Sequence, residues 1–322
     1  MKFSRLISLV LCFALLLTAC ACSGEKTAEK KQIAVIAKAV DSDFWHNVKN
    51  GVESAATEYN VSVTFEGPEN ESDYEEQNRL IKQAIDDKVD AIVLSAIDYS
   101  KSNDIVDEAA RSGIKVVTID SDVGSKNRSL FIGTDNREAG ISAAKAAVEG
   151  FDSETLINIG LVNYNADTDN GNQREAGFRE YIETVPNAKV VATVTAESNS
   201  QSATLSAMSL LENNPQVNVL VGFNEWMTLG VGYAIKQTAA ADRVRGIGFD
   251  TNVVSVGMIE TGEMNALIVQ NPFAIGYLGV EKATALISGD NVGEGNLYTD
   301  VTTVTKDNLY DDDIQKMLFR FK

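Results

Sequence analysis

The chain has 322 residues, and its 46 acidic residues outnumber its 28 basic residues, which gives a formal net charge of −18 at pH 7. A surface this acidic repels phosphate backbones, so nucleic acid is not expected among its partners. The length exceeds what one α/β core comfortably fills, and two lobes are therefore expected.

The first residues have the order of a secretory signal peptide. Lys2 and Arg5 precede a nearly all-apolar run over residues 6–19, and Cys20 follows at once. The run is shorter than the ~20 residues that a membrane-spanning helix needs, so residues 1–19 are predicted to be cleaved. Removing Lys2 and Arg5 leaves 26 basic and 46 acidic residues, a formal charge of −20.

The residues around the predicted cleavage point resemble the lipobox of bacterial lipoproteins. Residues 17–19 (Leu-Thr-Ala) lead into a cysteine, after which the chain becomes small, polar and charged. The resemblance implies that Cys20 carries the lipid, with Cys22 as the alternative, and that residues 20–31 form a flexible tether. A transcription regulator would need a helix-turn-helix segment before Gln32, where this signal stands instead.

The number and positions of the cysteine and histidine residues limit which metal sites and catalytic groups the protein can contain. The three cysteines, Cys12, Cys20 and Cys22, all lie in the N-terminal signal, and His46 is the one histidine. The body of the protein therefore has no disulfide, no thiolate metal site and no cysteine nucleophile. One histidine also excludes a multi-histidine zinc site. We expect no metal, no cofactor and no enzymatic activity.

From Gln32 onward, short apolar runs alternate with longer segments of helical period. In the first such segment Phe44, Trp45, Val48 and Val52 recur at helical spacing. The predicted strands cover residues 33–37, 61–65, 91–94, 116–119, 130–132, 156–161, 190–194, 217–221, 244–249 and 266–269. Strand, helix and strand in this rhythm predict the α/β class, with parallel sheets covered on both faces.

The two halves of the chain resemble each other. In each half, two predicted strands each end at a polar residue. These segments are residues 89–95 and 116–120 in the first half, and residues 217–224 and 245–250 in the second. The alternative interpretation is that any two strand-helix-strand units look alike.

Four polar residues stand at the ends of these strands. They are Ser95, Asp120, Asn224 and Asp250. Ligands of open parallel sheets bind beyond the carboxyl ends of the strands, which is where all four lie. A single aspartate there is more often a helix N-cap, but the set of four indicates one cleft between two lobes.

Several motifs in this order resemble the type I periplasmic binding proteins of the ribose-binding kind, which share their fold with the effector domain of LacI-type repressors. The motifs are Ile33-Ala34-Val35-Ile36, Asp43-Phe44-Trp45, Ile132-Gly133-Thr134-Asp135-Asn136, Arg174-Glu175-Ala176-Gly177-Phe178, Gly248-Phe249-Asp250 and Gln270-Asn271-Pro272. The resemblance covers nearly the whole mature chain.

The resemblance implies two Rossmann-like lobes, each a parallel sheet flanked by helices, joined by a three-stranded hinge. The N-terminal lobe would hold residues 32–134 and 271–297, and the C-terminal lobe residues 135–270 and 298–322. The chain would cross between the lobes near Thr134, Gln270 and Leu297. Such lobes open and close around a ligand.

The same resemblance implies thirteen ligand-contacting positions. They are Lys38, Ser42, Phe44, Trp45, Ser95, Asp120, Ser121, Thr134, Arg174, Asn224, Phe249, Asp250 and Gln270. The side-chain chemistry agrees with a sugar, because hydroxyl groups need ionised acceptors such as Asp120 and Asp250 beside a rigid donor such as Arg174. The aromatic rings would cover the C–H faces of the sugar, although Phe44 and Trp45 also fit the apolar stripe of a helix.

This chain departs from the ribose-binding pattern at several positions. Lys38, Ser42, Ser95 and Ser121 stand where ribose-binding members have serine, asparagine, asparagine and arginine, and Ser198 stands near where they place an aromatic residue. Lys38 leaves room for a carboxylated sugar or a furanosyl signal of the autoinducer-2 type. Otherwise it is a solvent-facing residue or a partner of a nearby aspartate, Asp41 or Asp43.

The resemblance implies an extracytoplasmic, monomeric solute-binding lipoprotein that captures a monosaccharide or related polyol. It would deliver this ligand to the permease of an ABC importer, while its lipid holds it on the outer face of the cell membrane. Two alternatives stay open: a sensor that reports to a membrane kinase, and a receptor for an autoinducer-2-type signal.

Overall fold

The computed structural model describes residues 30–164, 167–293 and 295–318. The predicted signal peptide, the proposed lipid-bearing Cys20 and most of the tether lie outside the described residues. Within these ranges, no helix is both long enough and apolar enough to cross a membrane.

Strands and helices alternate along the chain, as the hydrophobic pattern predicts. The strands are β1 (Gln32–Ile36), β2 (Ser62–Glu66), β3 (Ala91–Leu94), β4 (Lys115–Ile119), β5 (Leu130–Thr134), β6 (Ile157–Tyr164), β7 (Ala188–Ala196), β8 (Val219–Gly222), β9 (Arg245–Phe249), β10 (Ala266–Val269), β11 (Asn296–Thr299) and β12 (Thr302–Thr305). The helices are α1 (Asp43–Glu58), α2 (Tyr74–Asp86), α3 (Asn103–Arg111), α4 (Asn136–Val148), α5 (Asp169–Ile182), α6 (Ser200–Asn213), α7 (Glu225–Gln237), α8 (Val253–Thr261), α9 (Pro272–Ser288) and α10 (Asp312–Leu318).

The strands form two six-stranded sheets with matching orders. The first sheet has the order β11-β5-β4-β3-β1-β2, and the second has the order β12-β10-β9-β8-β6-β7. All pairs are parallel except β10 with β12. The predicted resemblance between the halves is confirmed, because β3 and β4 occupy the same places in one sheet as β8 and β9 in the other.

Helices cover both faces of each sheet. In the first lobe α1 and α9 pack on one face and α2 and α3 on the other, which gives two separate apolar clusters. In the second lobe α4 and α5 pack opposite α6 and α7. This layering explains why the central strands are continuous apolar runs rather than alternating ones.

The chain crosses between the lobes three times. Two crossings follow β5 and β10, next to Thr134 and Gln270. The third follows β11, which pairs with β5 through Tyr298 and Thr299 and so extends past the predicted crossing at Leu297. The difference arises because these two residues continue the ladder with Gly133 and Thr134.

Glycines bring one helix pair of each lobe into backbone contact. A Cβ on Gly177 of α5 would lie 2.0 Å from the carbonyl oxygen of Arg137, and one on Gly140 of α4 would lie 2.0 Å from that of Arg174. Gly51 of α1 and Gly276 of α9 make the same reciprocal approach in the first lobe. In the second lobe this close crossing sets the position of the backbone of Arg174.

Candidate functional site: a cleft between the lobes

Two strand-end aspartates mark corresponding edges of the two sheets. Asp120 follows β4 and Asp250 follows β9, and both are buried. Both adopt the left-handed backbone region, with φ of 57° and 63°. That conformation is unfavourable for most residues and is tolerated best by Gly, Asn and Asp. Strained backbone at equivalent points of both lobes is typical of a ligand site.

The structure places nine of the thirteen predicted residues around one space between the lobes. They are Lys38, Ser42, Phe44, Trp45, Asp120, Arg174, Asn224, Asp250 and Gln270. The space has a volume of ≈ 20 Å³, about that of a single water molecule. A sugar can therefore enter only when the lobes or these side chains move apart. Contact with a ligand stays a prediction for all thirteen.

Lys38 is paired with a carboxylate of its own lobe. Its Nζ lies 3.2 Å from Asp120 Oδ2, and both side chains are buried. Burial by itself lowers the pKa of Lys38, but the facing carboxylates of Asp120 and Glu71 outweigh it and raise the pKa above its ordinary value. The lysine is thus charged, and it is neither solvent-facing nor paired with Asp41 or Asp43.

Arg174 presents one free donor to the cleft. Its Nε donates to Asn136 Oδ1 at 2.8 Å and its Nη1 to the carbonyl of Phe223 at 2.8 Å. Nη2 is buried and has no hydrogen-bond partner among the described residues. The guanidinium also lies over the ring of Phe249, 4.7 Å from its centroid. A buried, unpartnered donor is costly unless a ligand satisfies it.

Asp250 is connected to the hinge by hydrogen bonds. Gln270 Nε2 donates to Asp250 Oδ1 at 2.6 Å, and Thr134 Oγ1 donates to Gln270 Oε1 at 2.7 Å. Burial raises the pKa of Asp250, although the charge of Arg174 and the bond from Gln270 partly oppose this rise. The carboxylate of Asp250 is therefore linked directly to residues at two of the three crossings between the lobes.

Four predicted residues stand behind the lining rather than in it. Ser95 Oγ donates to Asp120 Oδ2 at 2.9 Å, and Thr134 holds Gln270. Phe249 is fully buried beneath Arg174, and the hydroxyl of Ser121 is buried without a hydrogen-bond partner in the described part of the chain. Ser95, Thr134 and Phe249 thus orient residues that line the cleft.

Five residues that line the cleft were not identified from the sequence. They are Glu71, Tyr164, Asn170, Glu225 and Trp226. Two of them directly follow the predicted Asn224, which caps α7 by accepting from the backbone N–H of Met227 at 2.9 Å. Proximity to a predicted residue could have indicated these two. Glu71 lies in a polar loop before α2, and nothing in that loop marks it.

Hydrogen bonds join the two lobes across the cleft. Asn170 Nδ2 donates to Asp120 Oδ1 at 3.2 Å, and Ser198 Oγ donates to Glu71 Oε2 at 2.7 Å. The backbone N–H of Phe44, in the first turn of α1, donates to Glu225 Oε2 at 3.2 Å. Polar groups of the two lobes are therefore hydrogen-bonded to each other across the cleft.

A larger space of ≈ 440 Å³ lies beside the hinge and shares Phe44, Asp250 and Gln270 with the cleft. Its other walls come from the start of α1, from residues 251–256, from residues 269–273 and from the end of α10, and they mix apolar with polar side chains. Small-molecule sites commonly have volumes of roughly 300–1,000 Å³. Asp250 and Gln270 thus border both spaces.

Glu225 makes the stability of the closed structure depend on pH. Burial raises its pKa to about 7, opposed by the bond from Asn252 Nδ2 and increased by the charges of Asp250 and Asp43. Because this pKa lies above the unfolded value, the unfolded chain loses its proton first, and stability falls as pH rises from about 4.5 to about 7. Relative to wild type, Glu225→Gln is expected to gain about 1–3 kcal/mol across that window.

Denaturant unfolding of both proteins between pH 4 and pH 8 would measure this gain. The expected difference is small at pH 4, grows up to about pH 7 and is constant above. A difference independent of pH would contradict the prediction.

The fold and the cleft define a class of protein. Two α/β lobes joined by three crossings, with polar side chains of both lobes converging at the sheet edges, are the architecture of a solute-binding protein that closes on its ligand. Residues 33–291 match the family described as periplasmic binding protein domain. The chain belongs to this family, and its predicted type I periplasmic binding protein fold is confirmed.

Similar proteins include sugar-binding proteins of known sequence or structure. The D-ribose/D-allose-binding protein of Pseudomonas aeruginosa is 26% identical, over 94% of this chain and 99% of that protein. A carbohydrate-transporter solute-binding protein of Agrobacterium radiobacter, solved with D-arabinose, is 30% identical with a TM-score of 0.87 over 91% of this chain and 100% of the other. An ABC-transporter solute-binding protein of Agrobacterium vitis, solved with D-fucose, is 32% identical with a TM-score of 0.85, over 89% of this chain and all of the other.

Proposed function

We propose that this protein captures a monosaccharide or related polyol between its lobes and delivers it to the permease of an ABC importer. The observation that carries the proposal is the unpartnered Nη2 of the buried Arg174, in a cleft that it shares with Asp250. A donor and a carboxylate side by side match a hydroxyl group, which both donates and accepts. The sugars named for the related proteins support the same ligand class.

The aromatic residues of the first lobe would complete the site. Phe44 and Trp45 meet edge to face with ring centroids 5.0 Å apart, and both border the cleft. Their apolar faces would cover the C–H surfaces of a sugar ring and exclude water from its hydrogen bonds. Arg174, Asn224 and Asp250 would bind the same ring from the second lobe, so that full binding requires both lobes.

Ligand binding would be converted into a change of shape. The lobes would open around the three crossings to admit the sugar and close on it, since both sets of contacts form only in the closed state. The permease would then recognise the closed shape without touching the sugar. A monomer is sufficient for this mechanism, and no catalytic step is part of it.

A panel of sugars tests the proposal. Calorimetric titration and thermal melts with D-ribose, D-allose, D-arabinose, D-fucose, D-galactose and D-glucose are expected to identify at least one ligand. At a sugar concentration of roughly a hundred times Kd, folding should gain about 2.7 kcal/mol. The recovered sugar should be chemically unchanged. Preferential binding of an autoinducer-2-type furanosyl compound, or release of a product, would contradict the proposal.

We further propose that Cys20 anchors the mature protein to the outer face of the cell membrane. The support is the order of signal, small residues and cysteine at positions 6–20. Cys20→Ala is expected to release the protein into the soluble fraction while its sugar affinity stays unchanged, because none of the described residues that line the cleft belongs to the tether. Cys22→Ala is the matched control and should remain in the membrane fraction. The reverse pattern would assign the lipid to Cys22.

A further inference from the structure

Glu71 occupies an unusual position in the cleft. It lies in the loop between β2 and α2, is 7% exposed, and borders the space between the lobes. Its Oε1 accepts from Trp45 Nε1 at 2.9 Å and its Oε2 accepts from Ser198 Oγ at 2.7 Å. Ser198 in turn accepts from Asn224 Nδ2 at 3.0 Å. A chain of hydrogen bonds thus runs from one lobe to the other through the carboxylate of Glu71.

This carboxylate has no paired cation. Among the described residues, no lysine, arginine or histidine nitrogen lies within 4.0 Å of it. A buried carboxylate that is held only by neutral donors is costly, because each lost water contact must be replaced. In the same cleft Lys38 is already paired with Asp120 at 3.2 Å. Glu71 therefore lies in the field of the charged Lys38 but forms no ion pair with it, and its two oxygens accept only from neutral donors.

The charges of the cleft favour one class of ligand. The lining holds two cations, Lys38 and Arg174, against four acidic side chains, Glu71, Asp120, Glu225 and Asp250. With Glu225 protonated and the other three carboxylates ionised, negative charges still outnumber positive ones. An anionic ligand would bring a further negative charge into a site where Coulomb forces are weakly screened. A hydroxyl or ammonium group would instead donate to Glu71.

We propose that Glu71 is a specificity-determining ligand contact that makes the cleft select neutral and amino-substituted monosaccharides and reject sugar acids. The proposal rests on the proposed function and narrows its ligand class. When the lobes open, Ser198 leaves Glu71 and frees Oε2 for the ligand. Ser198, which contacts Glu71, stands near the position where ribose-binding relatives have an aromatic residue. The carboxylate would therefore accept hydrogen bonds from the ligand where an aromatic ring would otherwise stack on it. Lys38 serves to hold Asp120 and does not bind a ligand carboxylate.

The test uses two matched sets of sugars: D-galactose, D-galacturonate and D-galactosamine, and D-glucose, D-glucuronate and D-glucosamine, together with D-ribose, D-allose and D-arabinose as neutral references. Wild type should bind at least one neutral sugar. Both uronates should bind at least a hundredfold more weakly than the neutral sugar with the highest affinity. An amino sugar should bind no more weakly than its neutral parent.

Two variants separate ligand contact from lobe closure. Glu71→Gln is expected to weaken neutral sugars at least tenfold and amino sugars more, and to reduce the discrimination against uronates. Ser198→Ala removes the bond between the lobes but keeps the carboxylate, so it should change all affinities by a similar factor and leave selectivity intact. Glu69→Gln, an exposed neighbour in the same loop, is the control and should change nothing.

The outcomes distinguish the two proposals. If no neutral sugar binds wild type, the proposed function fails and this assignment with it. If neutral sugars bind but uronates bind equally well, or if Glu71→Gln changes all ligands by one common factor as Ser198→Ala does, the function stands and Glu71 is a structural link only.

Discussion

Replacing Asp250 with asparagine is expected to weaken sugar binding by at least a hundredfold without lowering the stability of the free protein. Each hydrogen bond to a charged group contributes roughly 1.5–3 kcal/mol, and Asp250 is predicted to accept two ring hydroxyls. Asparagine keeps the size of the side chain and tolerates the positive φ of 63°. The loss would therefore reflect charge rather than a change of backbone.

The stability of the ligand-free protein should stay the same or increase in the Asp250→Asn variant, although its sugar affinity falls. Burial raises the pKa of Asp250, so ionisation at neutral pH costs folding free energy rather than contributing to it. That cost arises as pH increases from the unfolded pKa to the higher folded value, and Asp250→Asn removes it. The melting temperature of the free variant should equal or exceed that of wild type.

Calorimetric titration and thermal melts on the same samples measure both effects. Asp242→Asn is the matched control, because it removes one negative charge from an exposed turn of the same lobe and should leave affinity unchanged. A variant that unfolds at lower temperature but binds sugar normally would identify Asp250 as a structural cap and remove it from the binding site.

Replacing Gly177 with alanine is expected to destabilise the second lobe by about 3 kcal/mol. The added Cβ would lie 2.0 Å from the backbone oxygen of Arg137, which cannot rotate away as a side chain can. Helices α4 and α5 must then separate, and overpacking of this kind costs roughly 1–3 kcal/mol or more. The melting temperature should fall by roughly 6–12 °C. Because Arg174 lies on α5, sugar affinity should fall as well.

Gly257 provides the matched control. It lies within α8, and a Cβ there would meet nothing within 4 Å. Gly257→Ala should therefore stabilise the protein by up to about 1 kcal/mol through the helix propensity of alanine. Equal melting temperatures for wild type and Gly177→Ala would mean that the two helices do not cross at backbone contact.

Hydrophobic periodicity was sufficient to predict ten of the twelve strands among the described residues, because most of the ten are apolar runs buried within the sheets and the edge strands β2 and β7 still carry several apolar side chains. It missed β11 and β12, whose short sequences are polar and partly exposed. These strands pair with β5 and β10, and although their Tyr, Thr and Val residues are common in strands, they lack the apolar run that marks the buried strands.

The residues of the cleft likewise fall into those that the sequence could predict and those that it could not. Asp120, Arg174, Asn224 and Asp250 could be predicted because a polar residue at the end of a buried parallel strand, or within a family motif, is a local signal. Glu71 and Glu225 could not, because their role depends on which groups of the opposite lobe face them. The chemistry of Lys38 was likewise undecided until its distance of 3.2 Å to Asp120 was known.

Local patterns therefore predict the α/β class, the order of most elements, the two-lobed repeat and the strand-end positions of several predicted ligand contacts, since period and side-chain chemistry are properties of neighbouring residues. Charge pairing in the cleft, the burial of Asp250 and the bonds between the lobes arise only when distant segments meet. Electrostatic energies depend on distances and burial in the folded chain, and neither quantity is encoded in any single segment.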